Sequence, residues 1–263
     1  MHLLLLSNAK REGAGYLEWA QPLLADFMAA SAVRSVLFVP FAGVTSTPDD
    51  YTEKVRLAFE PLGIGVEGIH RAADPAAAVR QAQAVLVGGG STWKLLREVR
   101  ALRLLRAIRQ RVLAGMPYAG WSAGANLACP TIMTTNDMPI CDPGGFDALG
   151  LVPFQINPHY LHGNPPGFKG ETREARITEF CAMNPGGWVA GLRECTGLRL
   201  AGQHLSLVGD GGDCRIFRHD TEPFELAQFV DRDGRHRGLV NQVVRHRRIR
   251  CQPGEALEFA IGQ

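Results

Sequence analysis

The chain alternates short, wholly apolar runs with longer stretches of mixed polarity. Leu3-Leu4-Leu5-Leu6 stops at Ser7-Asn8, Val36-Leu37-Phe38-Val39 at Pro40, and Ala84-Val85-Leu86-Val87 at Gly88-Gly89-Gly90. Short apolar runs bounded by turn-forming residues are the pattern of strands buried on both faces. Gly65-Val66-Glu67-Gly68-Ile69 is a further strand candidate, and another, Tyr118-Ala119, leads into Ser122. Between the strands, the spacing predicts helices over 16–30, from Asp49-Asp50 to about Leu62, and from Asp74-Pro75 onward, where aspartate caps and proline takes the first helical position. Leu102, Leu105, Ile108 and Val112 recur at helical spacing up to Gly115. Strands alternating with helices predict an α/β fold, a mostly parallel sheet with helices on both faces. Sites in such sheets gather at the carboxyl ends of strands. Ser7-Asn8, Gly88-Gly89-Gly90 and Ser122 all fall at such ends.

Beyond Gly186 the pattern shortens to strand-like pieces: Trp188-Val189-Ala190, Leu205-Ser206-Leu207-Val208 and Arg215-Ile216-Phe217. The turn-rich Gly209-Asp210-Gly211-Gly212-Asp213 separates the last two. From 231 the chain changes again: seven arginines stand against two aspartates between 231 and 250, a local balance of +5. Leu257, Phe259 and Ile261 then alternate as a half-buried strand would. We read 1–230 as one domain and 231–263 as a basic C-terminal extension, a β-hairpin with a solvated basic face. A basic nucleic-acid arm is the alternative reading, and the hairpin is favoured because no aromatic residues interleave with the arginines.

Composition narrows the picture further. The 263 residues are 46% hydrophobic, enough for a sizeable core, and the net charge of +2 does not point to nucleic acid. The first apolar run is shorter than a secretory signal, and no stretch approaches a membrane span. The six cysteines, Cys129, Cys141, Cys181, Cys195, Cys214 and Cys251, include no Cys-x-x-Cys pair. They read as reduced thiols of a cytoplasmic protein, with no metal site among them.

Gly120-Trp121-Ser122-Ala123-Gly124 carries the chemistry. A serine between two glycines at a strand-to-helix junction has the pattern of a nucleophile elbow, in which small neighbours let the chain turn sharply and lift the hydroxyl clear. The helix that follows aims its first amides, beginning with Ala123, at a developing oxyanion. Chance occurrence in a chain with 30 glycines is the alternative reading. A neutral hydroxyl needs a base, and His159, in Ile156-Asn157-Pro158-His159-Tyr160, is the best placed of eight histidines. A structural role for it stays open on the residues alone. Gly88-Gly89-Gly90 matches neither phosphate-loop pattern. It reads either as a tight turn or as a source of backbone amides for an oxyanion hole.

The neighbouring blocks add specificity. Cys129 to Ile140 contains Thr134-Thr135-Asn136-Asp137-Met138-Pro139, and Gln155-Ile156-Asn157-Pro158-His159 and Lys169-Gly170-Glu171-Thr172-Arg173-Glu174-Ala175-Arg176 follow. With Pro40-Phe41-Ala42-Gly43-Val44 and Val87-Gly88-Gly89-Gly90 upstream, this ordered set resembles the peptidase E family of α-aspartyl dipeptidases, from Leu3 to about Ala227. The resemblance implies a class I glutamine amidotransferase-like fold and serine-type hydrolysis of dipeptides with an N-terminal aspartate, without a cofactor. It makes His159 the base and supplies two candidates for its acidic partner, Glu194 and Asp137, unranked. It points to Gly90 as the second oxyanion donor, with Gly89 as a near alternative. It assigns Arg173 to the aspartate side chain, whose carboxylate a planar guanidinium grips bidentately. Lys169, Glu171 and Arg176 receive no role. The expected partner is a small peptide, with neither nucleic acid nor membrane; assembly as a homodimer stays open. Two other readings remain: a cyanophycinase-like hydrolase of a β-aspartyl-arginine polymer, and a binding protein that kept the scaffold without catalysis.

Overall fold

The structure, a computed structural model, describes residues 1–226; the expected extension at 231–263, and with it the division of the chain at 230, lies outside the described residues. The first half runs β1 (His2–Leu6), α1 (Gln21–Ala29), β2 (Ser35–Val39), α2 (Pro48–Phe59), β3 (Gly65–Gly68), α3 (Pro75–Gln81), β4 (Val85–Val87), α4 (Thr92–Ala101), α5 (Leu104–Leu113), β5 (Tyr118–Trp121) and α6 (Ala123–Ala128). The second half adds β6 (Gln155–Asn157), α7 (Arg173–Met183), β7 (Trp188–Gly191), β8 (Thr196–Ala201), β9 (His204–Gly209), β10 (Cys214–Arg218) and β11 (Thr221–Leu226).

Seven strands form the main sheet in the order β3-β2-β4-β5-β1-β8-β9, and β3 through β1 are parallel. β8 and β9 close one edge as an antiparallel pair. The apolar runs form its centre because both faces are covered. Leu3, Leu5, Leu37, Val39, Val85 and Val87 pack into one core, and Leu4, Leu6, Val36, Phe38, Leu86 and Trp121 into the other. This is the period-2 alternation of a strand with helices above and below. Each fully buried leucine of β1 contributes roughly 1.5–3 kcal/mol, so burial outweighs the modest strand propensity of leucine.

Helix starts follow their caps. Thr47 accepts the Asp50 amide ahead of Pro48 in α2, Asp74 accepts the Ala77 amide ahead of Pro75 in α3, and Thr172 accepts the Ala175 amide at α7. Two boundaries differ from the sequence reading. The helix expected from residue 16 begins at Gln21 after a 3-10 turn, because Leu17 is left-handed with φ 59°. The helical pattern from Leu102 belongs to α5, and a separate helix, α4, precedes it; Arg103, at φ 54°, breaks the two apart.

A second sheet, β11-β10-β7-β6, was not anticipated as a separate unit. Its β6 and β7 are parallel and the other pairs antiparallel. The order β4-β5-β1 sets Gly88-Gly89-Gly90, Ser122 and Ser7-Asn8 side by side at the carboxyl end of the main sheet. The ends of β6 and β7 carry His159 and Glu194 to the same place.

Candidate active site

Ser122 sits between β5 and α6 with φ 52° and ψ −110°, a conformation that side chains rarely adopt. Strain of this kind costs on the order of 1–3 kcal/mol and persists where the surroundings over-determine it. Here the Ser122 amide donates to the Leu6 carbonyl at 3.0 Å, and its carbonyl accepts the amides of Ala125 and Asn126. The flanking glycines are required by close approach. A Cβ on Gly124 would overlap the Val87 carbonyl oxygen, and one on Gly120 would lie 2.5 Å from the Gly124 oxygen. The Tyr118 hydroxyl donates to that same Gly124 oxygen at 2.7 Å. All residues of α6 are buried, while Ser122 keeps partial exposure.

His159 meets Ser122 from the second sheet. Its Nε2 lies 2.9 Å from Ser122 Oγ, and its Nδ1 lies 3.0 Å from Glu194 Oε1. With the Nδ1 proton directed at the carboxylate, Nε2 is left as an acceptor for the serine hydroxyl, the tautomer proton abstraction needs. The His159 backbone is itself left-handed, at φ 54°. It is fixed by its amide donating to Ser7 Oγ at 2.8 Å, while the Ser7 hydroxyl donates to the Leu192 carbonyl. The segment leading to it is tied to α6 by Asn126, which donates to the Ile156 carbonyl, and to 131–137 by Thr134, Asn136 and Asn157, whose side chains bond backbone carbonyls or each other.

Glu194 belongs to the turn between β7 and β8. Next to it, Cys195 has φ 59°, and its amide donates to the Asn8 side chain at 2.8 Å. The amides of Asp210 and Gly211 donate to the Cys195 carbonyl, so the glycine-rich turn after β9 buttresses this loop. The Glu194 side chain is 62% exposed. In so wet a position its charge is screened by solvent.

Asp137 takes a different place. Its Oδ2 accepts the Thr92 amide at 2.7 Å and the Thr92 hydroxyl at 2.6 Å, at the first residue of α4. Trp93 Nε1 donates to its carbonyl at 2.9 Å. The carboxylate on the His159 ring is therefore Glu194, and Asp137 anchors the 131–137 loop to the helix that follows the triple glycine. Both line a cleft of about 860 Å³, together with Ser122, His159, Gly89 and Gly90. Gly90 has φ 133°, and a Cβ there would overlap the Ala42 carbonyl oxygen. Among the described residues no acceptor engages its amide. Ala123 is the first residue of α6, where an amide has no partner within the helix.

Arg173 opens α7 and is not among the residues lining the cleft. Burial and the neighbouring Arg176 push its guanidinium below the ordinary value, while the Glu194 charge acts in the opposite sense. Its Nη1 is buried with no hydrogen-bond partner. An unpaired buried donor of this kind is costly for a charged group. His162 contacts Glu174 rather than Ser122. Behind the site, Arg193 grips Glu225 through two bonds of 2.8 Å, and Arg215 bridges Glu225 and Glu174 at 3.1 Å each.

Sequence reading missed the residues that hold these groups. Tyr16, Tyr51 and Lys54 line the cleft, and Thr92 receives Asp137. Only Ser7-Asn8 had a signal, as the end of a buried run. Among the described residues no cluster of three His, Cys, Asp or Glu side chains converges as a metal would need, and no helix is long and apolar enough to cross a membrane.

The model of peptidase family S51 matches residues 3–208. The chain is 53% identical over 209 residues to peptidase E of Salmonella paratyphi A, covering 80% of this chain and 90% of the relative. It is 52% identical over the same length to peptidase E of Salmonella typhimurium, with the same coverage. A crystal structure of a putative peptidase E from Listeria monocytogenes superposes with a TM-score of 0.58 at 24% identity, covering 80% of this chain and 98% of that one. A peptidase from an acI-B1 Actinobacterium gives 0.62 at 19%, covering 86% and 93%. These two likenesses bear on the fold.

Proposed function

The chain belongs to peptidase family S51, and from that premise we propose that it is a serine dipeptidase releasing aspartate from the N-terminus of Asp-X dipeptides. The observation that carries this reading is the His159 ring joined to Ser122 through one nitrogen and to Glu194 through the other. His159 Nε2 takes the Ser122 proton as Oγ attacks the peptide carbonyl carbon. The amides of Gly90 and Ala123 receive the oxyanion. Collapse breaks the C–N bond, and His159 returns its proton to the leaving amine. Water then attacks the aspartyl ester with His159 again as base, freeing aspartate and Ser122.

Glu194 holds the ring and faces the imidazolium formed on the way. Asp137 contributes by fixing the loop beside the oxyanion turn. Arg173, with its unpaired buried nitrogen, takes the aspartate carboxylate once α7 and the substrate come together. The relatives named peptidase E, matched over 80% of this chain, weigh against a polymer-directed hydrolase, and the hydrogen-bonded serine, histidine and glutamate weigh against a silent scaffold. The five described cysteines are all unpaired, which supports a reducing, cytoplasmic location. A panel of Asp-X, Asn-X, Ala-X and β-aspartyl dipeptides tests the assignment. Turnover concentrated on Asp-X is expected, and equal cleavage of Ala-X overturns it.

A further inference from the structure

The two glycines at the end of the β4 turn have no side chains with which to fix the plane of the peptide between them. Something outside the turn must do so if the Gly90 amide is to meet an oxyanion reproducibly. Tyr51, on α2, donates its hydroxyl to the Gly89 carbonyl at 2.9 Å. In a trans peptide the carbonyl and the following N–H point in opposite directions. Tying the Gly89 oxygen toward Tyr51 therefore turns the Gly90 N–H away from it. Gly90 is exposed in the cleft that Ser122 also lines.

We propose that Tyr51 is the positioning residue of the oxyanion hole, its hydroxyl setting the direction and donor strength of the Gly90 amide. This rests on the reading that Gly90 receives the oxyanion. The donor side of the arrangement is fixed by chemistry. An indole nitrogen only donates, and Trp121 Nε1 lies 2.9 Å from Tyr16 Oη and 3.3 Å from Tyr51 Oη. The two tyrosine oxygens are 2.9 Å apart. With the single Tyr51 proton given to Gly89, Tyr51 accepts from Tyr16, and Tyr16 accepts from Trp121. The result is a one-way relay, Trp121 to Tyr16 to Tyr51 to Gly89, whose members polarise one another. A hydrogen bond received at a peptide oxygen draws charge from the nitrogen and strengthens its N–H as a donor. Trp121 immediately precedes Ser122, so the same relay couples the nucleophile's strand to the oxyanion turn. Burial raises both tyrosines above their ordinary range, which keeps the hydroxyls protonated as donors.

Packing is the competing account, since Tyr51 is buried and sits edge-on to Phe38 at 5.0 Å. Tyr51→Phe keeps that packing and removes only the hydroxyl. In the full chain we expect kcat for Asp-Leu to fall about 10- to 100-fold, somewhat less than loss of an oxyanion donor itself, with KM within about twofold. The rate of Ser122 labelling by an alkyl fluorophosphonate, whose P–O charge develops in the same place, should fall by a similar factor. That arm does not depend on aspartate specificity, so it reads the proposal even if wild type cleaves no Asp-X peptide, an outcome that would sink the dipeptidase reading alone. If Tyr51→Phe does not fold, Tyr16→Phe keeps the Gly89 bond and removes its upstream donor. A smaller drop in labelling rate and in kcat is then expected. Wild-type kcat and labelling rate in a folded Tyr51→Phe protein, a loss confined to KM, or an unchanged Tyr16→Phe where only that variant folds overturns the proposal.

Discussion

The Ser7 hydroxyl accepts the amide of His159 at 2.8 Å, joining the end of β1 to the loop after β6 across 152 residues of chain. Ser7 is fully buried, and the same hydroxyl donates to Leu192. Ser7→Ala leaves a part-buried amide and a buried carbonyl without this partner, at about 1–3 kcal/mol. A lower Tm should accompany a fall in kcat, because the left-handed His159 backbone loses its anchor. If thermal melts and kcat both match wild type, Ser7 does not position the histidine.

The two carboxylates should respond differently to neutral substitution. Glu194→Gln keeps shape but removes the charge facing the ring, and kcat should drop at least about tenfold with little change in KM. Asp137→Asn removes the acceptor for the Thr92 amide and hydroxyl. Its main effect should be a lower melting temperature, with kcat changed less than in Glu194→Gln. Steady-state kinetics of the two purified variants decides this, and a larger kcat loss in Asp137→Asn would reverse their roles.

Much of this arrangement is legible in the sequence where burial and backbone geometry leave local marks. The four runs that became β1, β2, β4 and β5 are apolar because both faces are covered. Gly120, Ser122 and Gly124 are spaced as a strand-to-helix turn requires. The break at Arg103 has no such mark, since neither glycine nor proline stands there, and α4 went unread. β8 was missed because only its antiparallel placement between β1 and β9 makes Thr196-Gly197-Leu198 a strand. Choosing between Glu194 and Asp137 needs distances across 35 and 22 residues from His159. Tyr51 is invisible in principle, because one helical tyrosine resembles any other until its hydroxyl meets a carbonyl 38 residues away.

The ion pairs behind Glu194 make an acid-stability prediction. Hydrogen bonds from Arg193 hold the Glu225 carboxyl below its ordinary range, against the opposing effect of burial. A carboxyl depressed in the folded state adds stability above its unfolded pKa, and that contribution is lost as pH falls through the lower folded value. Glu225→Gln should therefore melt below wild type at pH 7, and the gap should close progressively below about pH 4. A gap that stays constant down to pH 3 in parallel thermal melts would show that the pair contributes nothing through ionisation.

Arg173 makes the sharpest link between stability and specificity. Its Nη1 is buried without a partner and its guanidinium is destabilised by burial and by Arg176. A charge held this way costs the free protein stability, is offset only in part by Glu194, and is compensated further when an anion arrives. Arg173→Met should raise the Tm of the unliganded protein while lowering kcat/KM for Asp-Leu about 100-fold or more, with Ala-Leu barely affected. Free aspartate should raise the Tm of wild type, because a ligand that binds only the folded state stabilises it, and should leave the Met variant unmoved. Two failures are distinguishable. An unchanged Asp-Leu preference in Arg173→Met moves specificity to a residue other than Arg173, whereas a lower Tm with lost preference means that Arg173 has a partner in the free protein and is not a vacant anion site.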